Sequence, residues 1–310
     1  MSSQKAMLIV DANAEIGALV SSVFAKVNWH VEHVSSNAAA LTVMQTRRFD
    51  IVLTSQKTCA KEDVDLLRRI RRIHPHTRVI ILADQGAPAD VIAAMRENAF
   101  GYFTEPFVLD ELKEILRIAL DAPPWDDGIE LRSATSSWIH LFARCDFTTA
   151  DRLVHFINEI GEDLPPEERA ELGAAFREML LNAMEHGGHF DPREYIEISY
   201  LRSGRAVSCR IRDPGKGFSL EEIPHAAISN PPEAPFQHLA HREEKGLRPG
   251  GFGVLLTRKL VDELIYNEKG NEVILIKYLD TARSGDTTGE SSMDSQSAPV
   301  RKSRFGGVHG

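Results

Sequence analysis

Cysteine is scarce in this chain: Cys59, Cys145 and Cys209 are the three thiols in 310 residues. Their spacing matches no metal-ligand pattern, and an odd count excludes a fully paired disulfide framework and fits a reducing cytosol. Cys209 alternates with apolar neighbours and is expected to be a buried strand residue. Long apolar runs are also missing. No stretch approaches the ~20 residues of a membrane span and no secretory leader is recognisable, so a cytoplasmic protein is expected. Positive charge is in deficit, 36 Lys and Arg against 45 Asp and Glu, a formal net charge of −9. That balance argues against nucleic acid as a general partner. No internal repeat is present. What is there, 43% hydrophobic and 26% charged residues, describes an ordinary globular chain long enough for two domains.

The chain is organised around residues 176–188, Phe-Arg-Glu-Met-Leu-Leu-Asn-Ala-Met-Glu-His-Gly-Gly. Leu172, Phe176, Met179, Leu180 and Ala183 recur at three- and four-residue spacing, which predicts a helix with one apolar stripe. Glu178 and Asn182 are four apart and leave the same face. A carboxylate beside an amide oxygen suits a hard cation such as magnesium. Alone, the pair would be an ordinary feature of an amphipathic surface.

Two glycine motifs follow. Asp213-Pro-Gly-Lys-Gly-Phe218 comes after a strand-like run, and Arg248-Pro-Gly-Gly-Phe-Gly-Val254 opens an apolar-periodic segment, Val254 to Leu264, expected to be helical. An aspartate before two glycines can accept from the exocyclic amine of adenine, while Gly215 and Gly217 let backbone approach the ring. Gly250, Gly251 and Gly253 at a helix start offer backbone N–H groups to phosphates. Taken together, Glu178-x-x-x-Asn182, Asp213-x-Gly-x-Gly217 and Gly250-Gly-Phe-Gly253 resemble the N, G1 and G2 boxes of the Bergerat-fold (GHKL) ATPases. Within that superfamily the run from Gly250 to Glu263, with Tyr266 and Gly270-Asn271, is similar to the serine kinases that act as anti-sigma factors in bacterial partner switching.

Residues 7 to 120 alternate short apolar runs with helical patterns. The expected strands are Met7–Val10, His30–Val34, Ile51–Thr54, Val79–Ala83 and Gly101–Phe103, with amphipathic segments such as Val64–Ile73 and Val91–Asn98 between them. The alternation predicts a five-stranded parallel sheet with helices on both faces. Asp11, Ser55, Ala83 and Glu105 fall at the carboxyl ends of the strands, where such folds bind ligands. This stretch, including Gly101-Tyr-Phe-Thr-Glu-Pro-Phe107, resembles a response-regulator receiver domain. That family uses an acidic pair, an acceptor aspartate, a Thr or Ser, and a lysine before the proline. The corresponding positions here are Asp11-Ala12, Ser55, Ala83 and Glu105. Asp50 sits at the wrong end of its strand to be the acceptor. Serine without a base is a poor acceptor and one carboxylate a weak magnesium site, so a pseudo-receiver that binds proteins and takes no phosphate is expected.

The expected organisation is therefore α/β throughout. A flavodoxin-like receiver-like domain spans 1–121, a Pro-Pro linker 122–128, an α/β sandwich of the histidine-kinase-like ATPase type 129–280, and a polar, disordered tail 281–310. In the second domain Ile129–Leu131, Tyr195–Leu201, Ala206–Arg212 and Glu272–Tyr278 are expected strands of an antiparallel sheet, and Thr149–Ile160 a helix capped by Thr148 or Thr149. Ser219 to Leu247, with His238 and His241, is expected to be a lid over the nucleotide.

The resemblance implies ATP and magnesium as cofactors, with Asn182 on the metal, Asp213, Gly215, Gly217, Gly250, Gly251 and Gly253 around the nucleotide, and Glu178 as general base. The partners it implies are a STAS-type anti-sigma-factor antagonist carrying the acceptor Ser or Thr, and a sigma factor; a second copy of the chain is a further expected partner. Two alternatives share the three boxes. A histidine-kinase catalytic domain needs an acceptor histidine, and His155-Phe-Ile-Asn-Glu lacks the Pro and Arg context of one. A nucleotide-dependent sequestering module would keep the same pocket and turn over little.

Overall fold

Two sheets share the chain. The computed structural model describes residues 5–12, 17, 20, 29–55, 60–121, 127–217 and 253–279. The first sheet is parallel, with strands β1 (Ala6–Asp11), β2 (His30–Val34), β3 (Ile51–Ser55), β4 (Arg78–Ala83) and β5 (Gly101–Thr104) in the order β2-β1-β3-β4-β5. β4 is buried along its whole length and β1 from Met7 onwards, as central strands covered on both faces must be. Among the described residues the covering helices are α1 (Asn37–Met44), α2 (Ala60–Ile73), α3 (Pro88–Arg96) and α4 (Leu109–Asp121). Ser36 caps α1 by accepting from Ala39 N. The helical segment expected to reach Asn98 stops at Arg96, because Asn98 turns left-handed with φ of 60°.

The second sheet is antiparallel and six-stranded. It comprises β6 (Ile129–Thr135), β7 (Trp138–Arg144), β8 (Tyr195–Arg202), β9 (Ala206–Arg212), β10 (Glu263–Tyr266) and β11 (Glu272–Tyr278), ordered β10-β11-β9-β8-β7-β6. Helices α5 (Phe147–Ile160), α6 (Pro166–Asn182) and α7 (Gly253–Leu260) complete the described residues of this half. α6 runs into a π-helical turn, Ala183–Gly187, a local widening often found at functional sites.

Three elements of this half differ from what the sequence predicts. β7 was not anticipated, although Ile139, Leu141 and Ala143 alternate inward in it. The helix expected over Val254–Leu264 ends at Leu260, since Glu263–Tyr266 pairs with β11, a tertiary contact that overrides the helical period. The cap of α5 is Asp146, which accepts from Thr149 N at 2.8 Å while Thr149 Oγ1 donates back to its other oxygen.

Residues up to Leu279 form one compact unit. Its principal core is continuous, joining Val91, Met95 and Tyr102 of the first half to Leu153, Phe156 and Phe176 of the second. Among the described residues no helix is long and apolar enough to cross a membrane. The lid expected between Ser219 and Leu247, with His238 and His241, and the tail from residue 281 lie outside the described residues.

Candidate functional site

α6 sets the geometry. Its Leu172, Phe176, Met179 and Leu180 are buried, so the helix cannot rotate without exposing apolar area worth about 25 cal/mol per Å2. That fixes Glu178 and Asn182, both partly exposed, toward the start of α7. A methyl group on Gly253, the first residue of α7, would stand 2.8 Å from Glu178 Oε2 and 3.2 Å from Asn182 Nδ2. Glycine therefore lets the helix N-terminus, with its unsatisfied N–H groups, reach both side chains. Gly250 and Gly251 lie outside the described residues.

Asp213 lies at the other end of the π turn. It follows β9, and its Oδ1 accepts from Gly215 N at 2.8 Å. Burial pushes its carboxyl up from the ordinary range, while the Gly215 N–H and the Lys269 charge pull it back. Three glycines make room around it. A Cβ on Gly187 would fall 2.1 Å from Asp213 Oδ1, and one on Gly215 would fall 2.7 Å from the same atom. Gly217 has φ of 82°, and a Cβ there would meet Lys269 O. Asn271 ties the turn together: its Nδ2 donates to Asp213 O at 3.2 Å, and Asp213 N donates to Asn271 O at 3.0 Å.

These parts enclose one cavity of about 650 Å3, a size suited to a nucleotide-scale ligand. Asn182, Asp213, Gly215, Gly217 and Gly253 line it, with Met179, Ala183, Ile211, Val254 and Val273 as apolar wall. Tyr266, whose hydroxyl points to Met179 Sδ, closes one side. Glu178 is not among the lining residues; it stands one turn beyond Asn182, against Gly253. From Glu178 to Gly187 the helix axis advances roughly 13 Å. The site thus reads along α6 as carboxylate, amide, then the Asp213 end.

Gly187, Lys269 and Asn271 also shape the site, beyond the residues of the three boxes. The adjacent glycines Gly187-Gly188 and the Gly270-Asn271 turn were the available signal. Cys145 lies under Gly188, where burial pushes its thiol up to about 12 and makes it a poor nucleophile. Cys209 is buried in β9, as its alternation suggested.

In the first half the register pairs Asp11 with Ser55 at the carboxyl edge of the sheet. Asp11 is buried, Ser55 half-buried, Ala83 buried and Glu105 exposed. Asp50 sits at the opposite edge, where its carboxylate accepts from Ala6 N at 2.8 Å. The strand ends therefore gather one buried carboxylate, no acceptor aspartate and an acid in place of a lysine. Elsewhere, His155 is buried against Tyr102 O, and burial holds its ring neutral with a pKa near 4.

Comparison with known proteins divides the chain the same way. Residues 7–117 match the response regulator receiver domain and residues 144–277 the histidine kinase-like ATPase domain. Over its first part the chain belongs to the response regulator receiver family. Sporulation initiation phosphotransferase F of Bacillus subtilis is 30% identical over 112 residues, 36% of this chain and 90% of that protein. Response regulator protein PilR of Pseudomonas aeruginosa is 29% identical over 120 residues, 39% of this chain but 27% of that protein. The crystal structure of a CheY-like receiver domain protein from Methanospirillum hungatei JF-1 aligns at 21% identity and TM-score 0.35, covering 38% of this chain and 95% of that one. The molecule is a signalling protein that joins a receiver domain to an ATPase-type domain.

Proposed function

We propose that this protein is an ATP-dependent protein serine/threonine kinase acting as an anti-sigma factor, with a STAS-type antagonist as substrate and a receiver-like half that takes no phosphate. The observation that carries this reading is the convergence of Glu178, Asn182 and Gly253 at one end of a cavity whose other end holds Asp213. Adenine would lie at Asp213, whose carboxylate accepts from the exocyclic amine. The phosphates would lie toward Asn182 and the N-terminus of α7, whose dipole favours negative charge.

The residues present fit magnesium. Among the described residues no group of three or more His, Cys, Asp or Glu could cage an ion. Asn182 would therefore supply one oxygen, with phosphates and water supplying the rest, the usual arrangement for this cation. When bound, magnesium neutralises phosphate charge. Glu178, one turn outward, is placed to take the proton from an incoming hydroxyl. Phosphorylation would add charge to the antagonist and release it.

Serine or threonine is favoured over histidine as the acceptor by the state of His155, the histidine of the one candidate context in the chain. It is 7% exposed and bonded to a backbone carbonyl. The division at residues 121 and 128, a cytoplasmic location, a bound sigma factor and a second copy of the chain are parts of the same proposal. The test is incubation with ATP, magnesium and STAS-type proteins encoded nearby, read by intact mass. A gain of one phosphate on a Ser or Thr is expected. Nucleotide binding with no transfer to any of them would favour a sequestering module instead.

A further inference from the structure

β5 is an edge strand, and edge strands leave a row of backbone groups without partners. Here one helix of the other half bonds to the backbone of β5 and of the two residues before it. Arg152 of α5 donates from Nε to Phe100 O at 2.9 Å and from Nη2 to Ala99 O at 3.0 Å. His155 bonds Tyr102 O, and Glu159 Oε2 accepts from Thr104 N at 3.0 Å. The three residues fall at i, i+3 and i+7, one face of a helix laid along the strand. Arg152 is 1% exposed, and its Nη1 meets Asp127 at 3.1 Å. Its guanidinium also stands over the Phe100 ring, 4.7 Å from the centroid, and the His155 ring packs on Phe103 at 4.1 Å.

A neighbouring face of α5 packs on α6. A methyl on Gly173 of α6 would stand 2.3 Å from Asn158 Oδ1, so the two helices approach closely at this glycine. Asp151 faces Arg177 at 3.8 Å, one residue before Glu178. An unbroken set of contacts thus runs from the receiver edge strand through α5 to the helix bearing Glu178 and Asn182.

We propose that the receiver half is a mechanical part of the ATPase half: by clamping α5 along β5, Arg152, His155 and Glu159 are positioning residues that set where α6 presents Glu178 and Asn182. The consequence for transfer rests on the kinase reading above; the coupling between β5 and α6 does not. A receiver domain without phosphoacceptor chemistry then has a use that needs none. A partner that docks on this half and strains β5 would alter the kinase through the same contacts.

The test uses the full chain and two variants, Glu159→Ala and the double variant Arg152→Met with His155→Phe. Amide hydrogen exchange is followed at Thr104, whose N–H is one of the clamped groups, along α6, and in β8 and β9. Faster exchange at Thr104 and over residues 173–182, with β8 and β9 unchanged, is the expected result. Transfer should slow by roughly 2- to 30-fold, the range for coupling carried through packed elements, with a smaller change in nucleotide Kd. If the double variant does not fold, Glu159→Ala removes a single bond and should give the same pattern more weakly. Faster exchange at Thr104 with α6 exchange and transfer both unchanged would overturn the proposal. A wild type that binds no nucleotide would end the kinase reading, and the exchange comparison would still decide the clamp.

Discussion

Gly253 sits directly against the carboxylate of Glu178, with room for a hydrogen and none for a methyl: the added carbon would stand 2.8 Å from Oε2. The obstructed atom is the far end of a flexible side chain, so Gly253→Ala should cost the fold little. Alanine is also the better helix former, by about 1 kcal/mol in a helix interior. What it displaces is the proposed base. Thermal stability should hold while transfer falls, by up to about 100-fold for an ångström of misplacement. Unchanged transfer would remove Glu178 from the catalytic role.

The pair on α6 separates binding from chemistry. Asn182 lines the cavity and Glu178 does not. Glu178→Gln should therefore leave ATP–magnesium affinity nearly unchanged and slow transfer by about 10²–10⁴-fold, as loss of a general base does. Asn182→Ala should weaken magnesium-dependent binding as well. Calorimetry and transfer rates on the same preparations distinguish the two, and equal transfer by Glu178→Gln and wild type would contradict the assignment.

At the far end, Asp213 is the acceptor offered to adenine. Asp213→Asn places a donor beside that amine and should weaken ATP binding by about 1–3 kcal/mol, the cost of a buried polar group left unmatched. The turn itself should persist, because Asn271 holds it through the Asp213 backbone. Equal Kd values for variant and wild type would refute the adenine role.

For the receiver half, Asp11 is buried and Ser55 is its cross-strand neighbour. With one buried carboxylate and no acceptor aspartate at the strand ends, acetyl phosphate and magnesium should add no mass to residues 1–120. Stoichiometric labelling there would show that another group accepts phosphate.

Much of this was legible because the relevant signals are local. The five parallel strands announced themselves as apolar runs, and Glu178 and Asn182 by their four-residue spacing on a periodic helix. Gly215 and Gly217 signal room for a ligand in the sequence; the structure adds that Gly217 needs its positive φ and that Gly215 abuts Asp213. What escaped is non-local. β10 exists because β11 pairs with it, and nothing in Glu263–Tyr266 alone outweighs the helical period before it. Gly187 matters because Asp213, remote in sequence, packs on it. The clamp by Arg152, His155 and Glu159 could not be read at all, since a charged helix face looks solvated until an edge strand is placed against it.

Glu159 offers a pH test of that clamp. Burial pushes its carboxyl up to about 7 from an ordinary 4.5; Glu111 adds to the rise, while the bond from Thr104 and the Arg169 charge oppose it. Below pH 4.5 both folded and unfolded chains hold the proton, and the group contributes nothing to the pH dependence. Between 4.5 and 7 the unfolded chain releases it first, so rising pH favours unfolding; above 7 the penalty is complete and constant. His155 acts in the opposite sense, its neutral ring favouring the fold above 6.5 and that advantage being lost as pH falls toward 4. A comparison that leaves His155 in place cancels it. Glu159→Gln keeps the shape and an oxygen to accept from Thr104 N but carries no charge. It should match the wild type near pH 4.5 and exceed it at pH 8, by no more than about 3 kcal/mol. Thermal unfolding of both proteins across that range is the measurement. A difference that stayed constant with pH would show that the carboxylate carries no burial penalty, and that α5 and β5 do not enclose it in solution.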